Sequence, residues 1–121
     1  MAPTKKAFGQ RQEHAVSQYL HNHGYHICDM NYSCKYGEID IVARKHDIFA
    51  FVEVKARKRP TFAMSSTVTP RKQHTLITTA RHYITEHRLT SYSFRFDIAL
   101  VSGENTISYI PAAFTPEDEI T

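Results

Sequence analysis

The chain has 121 residues, 41% hydrophobic and 22% charged, with 15 Lys+Arg against 12 Asp+Glu and a formal charge of +3. Seven tyrosines and seven phenylalanines exclude a disordered tail, and a chain of this size buries roughly two-thirds of its unfolded surface, enough for a core without disulfides. So small a positive excess does not by itself imply a nucleic-acid partner.

Met1 to Lys6 carry two lysines with no apolar run after them, and no stretch approaches the ~18 apolar residues of a span, so neither a secretory leader nor a membrane helix is expected. Residues 1–8 are expected to fray. Gly9 marks a boundary, and from Gln10 to His23 the residues Ala15, Val16, Tyr19 and Leu20 recur at helical spacing until Gly24. Glu13, Val16 and Leu20 lie at i, i+3 and i+7, so Glu13 begins the buried face. His21-Asn22-His23 spells a nuclease-like string by letters only and reads as surface histidine at a helix end.

Tyr25–Tyr32, Glu38–Arg44 and Ile48–Arg57 are rich in β-branched and aromatic residues, with turns at Lys35-Tyr36-Gly37 and His46-Asp47, which predicts a three-stranded antiparallel meander. Cys28 and Cys34 form neither a CxxC pair nor a four-ligand set, so two reduced thiols in a cytoplasmic protein are expected. Lys58 to Val68 is the longest loop. Thr69-Pro70 supplies an N-cap with proline at the first helical position, and Leu76, Ile77, Ala80, Tyr83 and Ile84 give the apolar stripe of a second helix of about 18 residues. Ser93–Val101 and Thr106–Ile110 read as two further strands around Gly103-Glu104-Asn105, with residues 112–121 expected to fray. This order predicts a single α/β domain with a mixed sheet and helices packed against it.

The third strand places an acid and a base among apolar residues, Phe51-Val52-Glu53-Val54-Lys55. Alternation puts Phe49, Phe51, Glu53, Lys55 and Arg57 on one face and Ala50, Val52, Val54 and Ala56 on the other. A hairpin centred between His46 and Asp47 sets Asp40 opposite Glu53 and Glu38 opposite Lys55. Directly opposed Cβ atoms lie about 4.5–5.5 Å apart, where two carboxylates repel unless a proton, a lysine or a metal ion sits between them. Converging carboxylate oxygens suit Mg²⁺, and metal-activated water attacking a phosphodiester is the natural reaction of such a site. Lys55 would hold a phosphate oxygen or position the water, and Glu13 would reach the sheet from the first helix. An internal ion-pair cluster is the competing reading. Glu38 is either a cross-strand partner of Lys55 or a further site carboxylate. Asp97 either supports the site or is a buried hydrogen-bonded aspartate, and Lys72 either faces the apolar side or is solvated. Chance alone gives about 0.4 ExK tripeptides in this composition, so the combination and not the tripeptide carries the signal.

Gly37-Glu38-Ile39-Asp40, the Phe51–Lys55 string, Thr69-Pro70-Arg71-Lys72-Gln73 and Arg95-Phe96-Asp97 together resemble the YraN-like family of small bacterial proteins. That family is similar to the Holliday-junction-resolvase branch of the PD-(D/E)xK nuclease superfamily. The resemblance runs from Gly9 to Val101 and implies a restriction-endonuclease-like αβββαβ core, a mixed central sheet flanked by helices. It also implies that Glu13, Asp40 and Glu53 hold one or two Mg²⁺ (or Mn²⁺) ions, that Lys55 completes the catalytic set, and that the substrate is DNA, with branched or structured DNA favoured. Junction-cutting relatives need two sites, which makes a homodimer plausible.

Residues 55–72 hold six Lys/Arg and no acid, which leaves the rest of the chain at −3. Arg57, Lys58, Arg59, Arg71 and Lys72 are therefore the expected contacts to a phosphate backbone. Tyr32, Tyr36 and Phe62 are open to base stacking or to core packing. An endonuclease and a nucleic-acid-binding module with little or no catalysis are the two functions that fit this pattern.

Overall fold

A computed structural model describes residues 4–56, 68–103 and 106–116. Helix α1 (Lys5–Asn22) starts earlier than its apolar repeat. The Thr4 hydroxyl caps it by accepting the Ala7 N–H at 3.1 Å. Gly9 lies inside the helix and not at its start, and residues 5–8 form its first turns instead of fraying. Phe8 is 50% exposed, so these turns carry no apolar stripe to announce them. The chain leaves α1 through Gly24, whose φ of 89° lies in the left-handed region that glycine tolerates.

Strands β1 (His26–Cys34), β2 (Gly37–Lys45) and β3 (Ile48–Ala56) form the expected antiparallel meander. Ile41 pairs with Val52 and Lys45 with Ile48, the register that a turn at His46-Asp47 requires. Helix α2 (Pro70–His87) follows, with Thr69 accepting the Lys72 N–H at 3.2 Å and proline in the first turn. It carries the chain to β4 (Ser93–Ser102), which lies parallel to β3, and β5 (Thr106–Phe114) closes the sheet in the order β1-β2-β3-β4-β5.

Strand β5 continues through Pro111, so residues 112–114 do not fray. Phe114 is buried and stacks on Phe96 with ring centroids 5.1 Å apart. The cause is Asp97, fully buried on β4, whose Oδ1 accepts the Ala112 N–H at 2.9 Å. That bond accompanies a register shift between Phe96 and Ile98 and a left-handed Ala112, φ 51°. Pro111 is tolerated because an edge strand has one unpaired side. Asp97 also takes two nitrogens of Arg95 and the Tyr109 hydroxyl. It is thus the buried, hydrogen-bonded aspartate of the two sequence readings, and it ties β5 to the sheet.

The sheet has a core on each face. Ile39, Val42, Phe49 and Phe51 pack under Leu76, Ile77, Ala80 and Tyr83 of α2. Ile41, Ala43, Ala50 and Val52 pack under Val16 and Leu20 of α1. Among the described residues no helix is long and apolar enough to cross a membrane.

At Gly37 the first residue of β2 meets α2 so closely that a Cβ would stand 2.6 Å from Thr75 Cγ2 and 2.9 Å from Thr79 Oγ1. Gly37→Ala is therefore expected to destabilise the fold by about 1–3 kcal/mol, measured by urea unfolding. Asp97→Ala, which strands Arg95 and Tyr109, is expected to cost about 3–5 kcal/mol in the same measurement.

Candidate active site

The ladder between β2 and β3 ends at Ile41 and Val52. One residue further, the Asp40 carboxylate, through Oδ2, accepts the Val54 N–H at 2.8 Å. A side chain thus replaces a main-chain acceptor, and the two strands part. Ile39 and Ile41, which strict alternation would place on one face, belong to the α2-side and α1-side cores respectively. The break in alternation falls at Asp40 and sets its carboxylate between the two layers.

Carboxylates approach Asp40 from both sides. Glu13, from α1, and Glu53, from β3, each stand within hydrogen-bonding reach of it. Glu53 is 5% exposed, and its Oε2 is buried without a hydrogen-bond partner. Lys72 Nζ stands 3.5 Å from that oxygen. Burial first, then the shared hydrogen bond and charge of Asp40, push the Glu53 carboxyl up to about 8, against the pull of Lys72 and Lys55. Burial also raises Glu13, assisted by Asp40 and Glu38 and opposed by the Asn31 amide.

A buried carboxylate with an unmatched oxygen and an acidic neighbour calls for a proton or a cation. The donors are all hard oxygens, so the group they fit is a divalent ion of the Mg²⁺ or Mn²⁺ type. Among the described residues no three His, Cys, Asp or Glu side chains close around one point. A Mg²⁺-type ion is commonly held this way, by one or two carboxylates with water and substrate oxygens completing its shell.

Most residues selected from the sequence gather here. Lys55, half-buried on β3, is close enough to lower Glu53 electrostatically. Lys72 lies within the cluster through its approach to Glu53, while Arg71 is exposed at the start of α2. Arg57, Lys58, Arg59 and Phe62 lie outside the described residues. Glu38 forms no ion pair with Lys55 among the described residues; the strands have parted before that level, and Glu38 acts on Glu13 instead. Tyr32 donates to Glu86 at 3.3 Å and stands edge-on to Tyr83, which accords with packing. His21 and His23 are exposed. Asn31 is the residue that periodicity missed. Its one signal is an asparagine in mid-strand, where this residue type is depleted.

The raised Glu53 carboxyl has a definite effect on stability. Its folded pKa exceeds the ordinary glutamate value, so folding takes up a proton, and metal-free stability falls as pH rises toward about 8. Glu53→Gln is expected to remove that fall and to be more stable than the parent at pH 9 by on the order of 1–3 kcal/mol, with little difference at pH 5, measured by urea unfolding without metal.

The fold is similar to that of Hjc, a Holliday junction resolvase from Archaeoglobus fulgidus, with a TM-score of 0.57 at 20% identity over 84% of this chain and 73% of that one. At this identity the likeness is one of fold, and it agrees with the nuclease superfamily that Gly37–Asp40 and Phe51–Lys55 resemble. A UPF0102 protein of Alkaliphilus metalliredigens is 43% identical over 112 residues, covering 90% of this chain and 98% of its own length. A UPF0102 protein of Myxococcus xanthus is 34% identical, covering 91% and 90% respectively. Residues 12–101 match the family described as "Uncharacterised protein family UPF0102", and with relatives of this similarity over nearly their whole length the chain belongs to that family.

Proposed function

We propose that the protein is a Mg²⁺- or Mn²⁺-dependent endonuclease acting on DNA, with branched or structured DNA as its substrate class. The observation that carries this reading is Glu53: a buried carboxylate whose Oε2 has no hydrogen-bond partner and only the Lys72 ammonium at 3.5 Å, set against Asp40 where β2 and β3 part. The fold shared with a Holliday junction resolvase supports the choice of DNA.

In this reading Asp40 and Glu53 hold the ion, and Glu13 completes or orients the site from α1. When bound, the ion supplies Lewis-acid activation of water and neutralises phosphate charge. Asp40 is fixed for the task by the Val54 N–H, which leaves its other oxygen for the site. Glu53 gives up its proton on loading, so divalent-ion affinity rises with pH toward about 8. The Lys55 ammonium, on the same strand face two residues further on, orients the attacking water and meets charge developing on the phosphorus oxygens. Lys72 offsets the charge of ionised Glu53 and in this reading would meet a non-bridging phosphate oxygen. Arg71 at the exposed start of α2 and Arg57, Lys58 and Arg59, which follow Lys55 in sequence, bind the flanking backbone. Two copies of the chain would supply the two cuts that a four-way junction needs.

The purified chain is expected to cut four-way-junction DNA in the presence of Mg²⁺ or Mn²⁺ and not with EDTA. Asp40→Ala is expected to reduce cutting to background, at least roughly 100-fold, while circular dichroism stays unchanged. Cutting by the variant at the parental rate overturns the assignment. Salt-sensitive DNA binding without cutting by either protein points to a binding module on the nuclease fold.

A further inference from the structure

We propose that Asn31 is a positioning residue that holds the Glu13 carboxylate toward Asp40, an inference that rests on the metal-centre reading given above. Asn31 has a φ of 54°, a left-handed conformation inside β1. Three other non-glycine residues among those described share that conformation, and each has a local structural reason. His46 is in the β2–β3 turn, Arg88 is the C-cap of α2, and Ala112 is at the β4–β5 register shift. Asn31 has none of these. Met30 pairs with Ile41 and Tyr32 with Ile39, so the register is the same on both sides of it. A left-handed residue inside a strand, without a turn, cap or bulge to explain it, is the kind of backbone irregularity that persists at functional positions.

The same pairs show what this irregularity faces. Continuing the register puts Asn31 opposite Asp40, the residue at which β2 loses its alternation, so the irregularities of the two strands face each other. Asn31 and Glu13 line the same cleft, where the Asn31 amide favours the ionised form of the Glu13 carboxyl. Glu13 needs such a partner. It borders a cleft of about 400 Å³ lined also by Lys6, Gly9, Gln10, Asn31 and Glu38, so apolar packing does not fix its side chain. Asp40 and Glu38 both repel its carboxylate, which favours a position turned away from Asp40. The amide donor of Asn31 opposes that drift. Asparagine suits the position twice over, since it tolerates the left-handed backbone and carries the donor.

The test is a double-mutant cycle on the full chain, with Mn²⁺ affinity read by titration calorimetry and folding by thermal melting. Asn31→Gly keeps the left-handed backbone and deletes the amide, so its melting temperature is expected to equal or exceed that of the parent. Its Mn²⁺ affinity is expected to fall about tenfold. Glu13→Gln should weaken binding at least as much, and Asn31→Gly should cause no further loss on the Glu13→Gln background. An unchanged affinity in Asn31→Gly, or an equal loss on both backgrounds, overturns the role of Asn31 while leaving the metal centre standing. A parent chain that binds no Mn²⁺ overturns the metal centre, and the role of Asn31 with it.

Discussion

One hydrogen bond organises the site: the Val54 N–H donates to the Asp40 carboxylate instead of to a main-chain carbonyl of β2. Sheets are stabilised by uninterrupted ladders, and a charged side chain inserted into one ends the pairing locally. Here the ending is useful. It turns a two-faced sheet, in which residues on opposite faces cannot meet, into a place where a helix residue from one layer and a strand residue from the other both reach one carboxylate. Glu13 belongs to the α1 side and Glu53 to the α2 side, and without the opening at Asp40 the sheet would separate them.

The opening has an electrostatic cost, and Glu53 bears most of it. A glutamate 5% exposed, with one oxygen that accepts no hydrogen bond, is held protonated into the neutral range by its own burial. A wholly structural acid would be satisfied, as Asp97 is: equally buried, yet surrounded by Arg95, Tyr109 and the Ala112 N–H. The two acids sit on neighbouring strands, and their contrast separates a carboxylate that holds the fold together from the one that the proposed function assigns to the ion.

The meander, its register and α2 are legible in the sequence because each is governed by local chemistry: a two-residue turn, an N-cap followed by proline, and apolar residues at helical spacing. From that register the opposition of Asp40 and Glu53 follows by counting. What counting does not supply is the point where a ladder stops. Extending the register two residues further pairs Glu38 with Lys55, yet the strands diverge before they reach that level. The start of α1 and the end of β5 are hidden for a related reason. One is an exposed helical turn with no apolar stripe, and the other depends on a hydrogen bond that the Ala112 N–H donates to Asp97, fifteen residues away. Asn31 is hidden because its significance lies in a backbone angle, and asparagine adopts that angle without announcing it in any periodicity.

The close approach at Gly37 sets how the site responds to a bound molecule. Gly37 lies three residues before Asp40, and Thr75, which it meets, lies three residues after Lys72. The Thr79 hydroxyl is turned back onto the Thr75 carbonyl at 2.7 Å, so the helix offers β2 a fixed surface. Van der Waals repulsion is steep, and the separation between the acid on β2 and the base on α2 is therefore fixed by a hard stop and not by a hinge. The α2 side of the centre is a rigid jaw. Open space lies on the α1 side instead, where a Cβ at Gly9 would meet nothing within 4 Å and polar residues rim the cleft.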